Sequence, residues 1–217
     1  MSKKVEYFLT EQSLILCQDA ILDSYSDSPF AHYIVHFIMF HLQPILTGER
    51  ITLHPLQTAD FDRLYAVASD PLIWEQHPAS DRYQEPVFKK FFDEGIASGG
   101  AFLITDNASG KVVGSSRYCA YSEPQSEIEI GYTFLGRDYW GGRYNAELKS
   151  LMLQHAFQFV ESVLFVVGIH NFRSQQAVLK LGALADPAEQ QRHHDRIIFR
   201  LRKAVYEKNP KRYAWQM

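Results

Sequence analysis

"EIGYTFLGRDYWGGRYNAELKSLMLQHAF", residues 129–157, decides the fold. Its opening reads as a strand, its middle is broken by glycines, and its remainder is helical. Leu148, Leu151, Met152, His155, Ala156 and, just beyond, Phe159 fall on one face of that helix, the spacing of a core-facing stripe. The helix is expected to begin near Tyr144 or Asn145. A strand, a glycine turn and a helix bring free backbone amides together at a helix N-terminus, which is an anion site. Arg137 and Arg143 could add guanidinium charge to it. The turn has no Gly-Lys-Ser/Thr and lacks three-glycine dinucleotide spacing, so neither of those phosphate loops is present.

Outward from this block, the chain alternates strands and helices. "RITLHPL" reads as a strand. Thr58 is expected to cap a helix starting at Ala59, with Asp60 and Asp62 in its first turn and Ala59, Leu64, Tyr65 and Val67 on its apolar face. "EPVFKKFFDEGIASGG" is a helix with Pro86 near its start. "AFLITD-NASG-KVVGSSRYCAY" is a hairpin. "VLFVVGIH" is a nearly all-apolar strand, expected to be buried on both faces. "NFRSQQAVLKLGA" is a short helix ending at Gly182. "DRIIFRLRKAVY" is a last strand leading to a basic tail. The order predicts a mixed α/β layer fold, one sheet with helices packed on it.

The bulk composition is that of an ordinary globular protein. Of 217 residues, 46% are apolar and 22% charged, with a net charge of -3, which gives no footprint of a nucleic-acid binder. Cys17 and Cys119 are the only cysteines and stand far apart, so neither a disulfide framework nor a cysteine zinc site is expected. The apolar block "FAHYIVHFIMFHL" is too short to span a bilayer and carries three histidines. A cytoplasmic location without membrane association is the expectation. Histidines four apart in "HYIVHFIMFH" could bind zinc on a helix, but no third ligand is near. "RHHDR", residues 192–196, reads as a polar turn. No metal is expected. The tail "KNPKRYAWQM" reads as a solvated terminus or an arm on a neighbouring subunit.

Two blocks in order, "EIGYTFLGRDYWGGRYNAELKSLMLQHAF" and then "NFRSQQAVLKLGA", resemble the GNAT superfamily of acyl-CoA-dependent N-acetyltransferases. The likeness covers roughly residues 46–203 and is greatest to the branch that acetylates ribosomal-protein N-termini. It implies a single, mostly antiparallel twisted sheet that splays between two central parallel strands, with helices on both faces. It also implies acetyl-CoA as co-substrate. The pantetheine arm would lie along backbone groups of Thr133, Phe134 and Leu135. The pyrophosphate would sit on amides of Gly141, Gly142, Arg143, Tyr144 and Asn145. Asn171 and Ser174 would lie beside the pantetheine, and Arg173 would help with the adenosine phosphate. Arg143 departs from the pattern, since many relatives have a glycine there.

Acetyl transfer to an amine needs a base, because the amine must lose a proton before it attacks. Glu127 and Glu129 alternate on one strand and so share a face. Glu129 matches the family's glutamate before Ile-Gly-Tyr and is the expected base. A backbone amide near Phe134 could hold the oxyanion. The tyrosine that many relatives use as general acid is replaced here by Val178. The reading is an N-acetyltransferase for a small-molecule or peptide amine. The alternative is a non-catalytic acyl-CoA-binding module.

Three segments follow from this reading: 1–44 as an extension, 45–205 as the acetyltransferase domain and 206–217 as a tail. The extension carries Leu14, Leu16, Ile21, Leu22, Tyr33, Ile34, Phe37, Ile38 and Phe40, too apolar for a solvated tail. It is expected to pack on the domain or to join a homodimer; a natural start at Met39 is the other explanation.

Overall fold

The structure is a computed structural model that describes residues 40–187 and 194–209. The expectations for residues 1–39, for Arg192 and His193 of "RHHDR" and for residues 210–217 of the tail therefore lie outside the described residues. Among the described residues there are eight strands: β1 (Leu46–Thr47), β2 (Ile51–Pro55), β3 (Ala101–Asp106), β4 (Val112–Ser122), β5 (Glu127–Leu135), β6 (Ser162–Gly168), β7 (Leu184–Ala185) and β8 (Arg196–Arg202). They form one sheet in the order β1-β2-β3-β4-β5-β6-β8-β7. Every neighbouring pair is antiparallel except β5 and β6, which run parallel. The helices are α1 (Phe61–Ala68), α2 (Glu85–Ala97), α3 (Arg143–Ala156), α4 (Phe172–Lys180) and α5 (Lys203–Lys208). Helices cover both faces, as the expected fold requires.

Period-two alternation divides the core into two layers. On β3, Phe102 and Ile104 join the cluster that holds Leu148 and Met152 of α3, whereas Ala101 and Leu103 join the cluster of Phe88, Phe91 and Phe92 of α2. Ile128 and Ile130 of β5 face α3 in the same way. Beyond Tyr132 the phase reverses: Phe134 faces α2 and Leu135 faces the α3 cluster. The reversal is a β-bulge. Gly131 pairs with Arg117 and Phe134 with Ser115, so that Tyr132 and Thr133 of β5 stand against Ser116 of β4 alone. Tyr132 adopts φ 54°, a left-handed conformation uncommon for a bulky residue.

This bulge accompanies the splay. β5 and β6 pair only at Glu127–Ser162, Ile128–Val163 and Glu129–Leu164. Past Glu129 the two strands diverge, and that edge of β5 has no partner strand. β6 continues to pair with β8 along its other side, from Ser162–Arg202 to Gly168–Arg196.

Three local expectations are corrected. The first helix starts at Phe61, after a 3-10 turn at Thr58–Asp60. Asp60 accepts a hydrogen bond from the Gln57 amide at 3.0 Å, so Thr58 is not the cap, and Ala59 is exposed rather than on the apolar face. α3 starts one residue earlier than expected, at Arg143 with Gly142 as N-cap. β6 is fully buried on one face only, through Val163, Phe165 and Val167.

Candidate active site

The divergence of β5 and β6 opens a cleft of about 810 Å³. The glycine turn closes one end. Gly141 has φ 66°, which a side chain would oppose, and no heavy atom stands within 4 Å of where its Cβ would be. At Gly142 a Cβ would approach only the Trp140 carbonyl, at 3.8 Å. The open space beside these amides fits a bulky anion. Trp140 anchors the turn by donating from Nε1 to the Leu135 carbonyl at 2.7 Å.

Ten of the expected site residues line this cleft: Glu129, Thr133, Phe134, Leu135, Gly141, Gly142 and Asn145 from β5, the turn and α3, with Asn171, Arg173 and Ser174 from the start of α4. Arg143 and Tyr144 do not line it. The Tyr144 hydroxyl donates to Asp106 at 2.6 Å, tying the first turn of α3 to the end of β3. Asn171 caps α4, its Oδ1 accepting from the Ser174 amide at 3.1 Å. Arg137 is turned away, donating from Nε to Asp70 at 2.5 Å. The guanidinium of Arg173 stacks on the Trp140 ring at 3.7 Å and donates to the Ile73 carbonyl at 3.3 Å.

The two strand glutamates separate in role. Glu127 is held by Arg200, which also pairs with Asp186 at 3.0 Å. Glu129, two residues on, has no ion pair among the described residues. Burial raises its pKa above the ordinary carboxylate value, against a hydrogen bond from Cys119 and the nearby cations Arg196, Arg117 and Lys149. Its carboxylate lies over Gly131, where a Cβ would stand 2.5 Å from Oε1. The glycine of "EIGY" thus makes the room in which the carboxylate rests.

Two groups of the cleft escape a reading of the sequence. On the α2 side, Arg82 lines the cleft and stacks over Phe91 at 4.6 Å, and behind the lining Arg117 lies over Tyr132 at 4.2 Å. The second group is Lys149. It sits between Leu148 and Met152 in a stretch that reads as core, and its only signal is its own charge in that stretch.

A strand fork, a glycine turn at its mouth and a half-buried carboxylate at its apex thus share one cleft. The acetyltransferase (GNAT) domain family matches residues 50–184, and the chain belongs to that family. The fold is shared with several solved structures. A GCN5-related N-acetyltransferase from Brucella melitensis is 22% identical with a TM-score of 0.65, the match covering 80% of this chain and 84% of the other. A putative acetyltransferase from T. thermophilus is 22% identical with a TM-score of 0.65, covering 82% of this chain and 100% of the other. Mycobacterium smegmatis RimJ, solved in complex with CoA-disulfide, is 12% identical with a TM-score of 0.59, covering 76% and 90%. Among the described residues, no helix is long and apolar enough to cross a membrane.

Proposed function

We propose that the protein moves the acetyl group of acetyl-CoA to a primary amine of a small molecule or peptide, by direct attack of the amine within a ternary complex. The observation that carries this reading is the position of Glu129. It is the last β5 residue paired to β6, and it stands beside an open strand edge that leads to the Gly141–Gly142 turn. A thioester arm laid along that edge would bring its carbonyl to the apex, with the carboxylate there to take the amine proton. The residues fit the cofactor: the turn offers free space and amides for the pyrophosphate, and β5 offers unpaired backbone for the arm.

Within the family we place the chain nearest the branch that acetylates ribosomal-protein N-termini, on its Glu129-Ile-Gly-Tyr, Tyr139-Trp-Gly and Asn171-x-Arg-Ser blocks. We place it in the cytoplasm, where acetyl-CoA is at hand. The acceptor of that branch is not carried over. A panel of amines, amino acids and peptides tested by release of free coenzyme A thiol checks the activity. Binding of acetyl-CoA with no thiol release from any acceptor would instead support a non-catalytic binding module.

A further inference from the structure

Lys149 is a lysine where the helix pattern calls for an apolar residue. It lies in the second turn of α3, is only 6% exposed, and lines the cleft. Its ammonium donates one hydrogen bond, to Thr133 Oγ1 at 2.8 Å, and lies 5.5 Å from the centre of the Phe165 ring. Thr133 Oγ1 is shared with Ser116 Oγ at 2.7 Å. Among the described residues it has no ion pair. A buried lysine without a carboxylate partner costs stability, so it calls for a ligand or a task.

Its two neighbours fix where it stands. Phe165 follows Leu164, the last β6 residue paired to β5, and Thr133 lies just past the β5 bulge. The ammonium is therefore at the apex of the fork. The bulge also settles the side. Glu129 precedes it and points away from the α3 cluster that takes Ile128 and Ile130, whereas Thr133 follows it and points toward Lys149. Glu129 and Lys149 face the apex from opposite faces of the sheet.

Resting on the acetyl-CoA reading above, we propose that Lys149 is the proton donor to the departing coenzyme A sulfur. Val178, which lines the cleft from α4, has no proton to give. The acceptor ammonium yields a proton to Glu129, and the free amine forms a bond to the acetyl carbon. The carbon–sulfur bond breaks, and its electron pair goes to sulfur. One Nζ proton of Lys149 moves to that sulfur, leaving a neutral amine. The surplus proton on the acetylated nitrogen leaves to water, Glu129 gives its proton up to solvent, and Lys149 takes one back from solvent. The sum releases one proton, as acetylation of an ammonium requires. Burial lowers the pKa of Lys149 to about 7, opposed through space by the charges of Glu129 on β5 and Cys119 on β4, which lie on the other side of the sheet; a thiolate set against Nζ would add to that opposition and favour the charged pair. Such an acid gives up its proton readily near neutral pH.

The test uses coenzyme A itself and needs no acceptor. The thiol of bound coenzyme A is titrated by its thiolate absorbance in the full-length protein and in Lys149→Met, with desulfo-coenzyme A as the blank. An ammonium against sulfur favours the thiolate. The bound thiol is therefore expected to titrate about one pH unit or more below the free thiol in the wild type, and at or above it in Lys149→Met. Thermal melting checks the fold of the variant, which loses an unpaired buried charge and is expected to melt no lower than the wild type. Equal thiol titration in both proteins, with coenzyme A bound, overturns this inference alone. Failure of coenzyme A to bind the wild type overturns it together with the cofactor reading.

Discussion

Arg173 and Trp140 meet across the mouth of the cleft, the guanidinium 3.7 Å from the ring centre. The contact joins the start of α4 to the glycine turn. Arg173 also donates to the Ile73 carbonyl, and its backbone amide donates to Gln76 at 3.3 Å. These contacts give the guanidinium a structural task at the turn, beside the phosphate role that the family likeness implies. Arg173→Ala is expected to lower stability by about 0.5–1 kcal/mol, the worth of an exposed cation–π contact. It is also expected to leave the ratio of affinities for coenzyme A and its 3′-dephospho form unchanged. A selective loss of affinity for the 3′-phosphorylated form would return Arg173 to phosphate binding.

Gly142→Asp tests the turn. The fold should tolerate it, because the only atom near the added Cβ is the Trp140 carbonyl at 3.8 Å. Coenzyme A at about 100 times its dissociation constant stabilises a protein by about 2.7 kcal/mol. The wild type is expected to show that gain in a thermal melt, and the variant, with a carboxylate set against the pyrophosphate, to show none. A shift that survives in Gly142→Asp places the anion elsewhere.

Removing the proposed base should leave a pH signature. Glu129→Gln is expected to lower turnover by about 10²- to 10⁴-fold near neutral pH and to spare coenzyme A binding. In the wild type the rate should fall as pH drops through the raised pKa of Glu129; in the variant that limb should vanish. The deficit should narrow at high pH, where free amine is abundant. Gly131→Ala should reproduce part of the loss, since a Cβ there would push the Glu129 carboxylate from its seat. Wild-type turnover in Glu129→Gln would hand the proton to water or another group.

His77 predicts how stability depends on pH. Burial depresses its pKa to about 4, with Arg82 adding to the effect. Its Nδ1 accepts from the Ala79 amide at 2.9 Å. The unfolded chain takes up this proton near the ordinary value of 6.5, and the folded protein does so only near 4. The stability contributed by neutral His77 is therefore whole above pH 6.5 and is lost as pH falls toward 4. The loss is at most on the order of 1.4 kcal/mol per pH unit. His77→Asn, whose amide oxygen can replace Nδ1 as acceptor, is expected to flatten that part of the curve. Parallel curves for the two proteins would show that His77 does not carry it.

The strand–turn–helix core was legible because each part has its own period and the glycines mark the joints. The two-layer sheet followed from it. The bulge at Tyr132 was not legible: Ile130, Tyr132, Phe134 and Leu135 are all apolar or aromatic, so a change of phase leaves no gap in the pattern. Lys149 was hidden for a related reason. A lysine beside an apolar stripe usually snorkels to the surface, and nothing local says that this one ends under a sheet. The Thr58 cap failed because Asp60 satisfied the Gln57 amide first. Glu129 and the turn were found through paired motifs. Their proximity in space depends on β5 and β6 being neighbours, which a local pattern does not state.

Beyond Glu129, the inner side of β5 is a row of peptide groups that its own chain does not complete. Such a row invites any extended strand, and proteins ordinarily hide or blunt it. Here it is kept open in the middle of a sheet, where only a slender chain can enter. The pantetheine arm, with its two amide groups, is a short peptide mimic, and on entering it would complete the ladder much as a missing strand would. Filling the gap and loading the enzyme would then be one event, and the protein deprived of coenzyme A would be the form most exposed to pairing with a stray strand from another polypeptide.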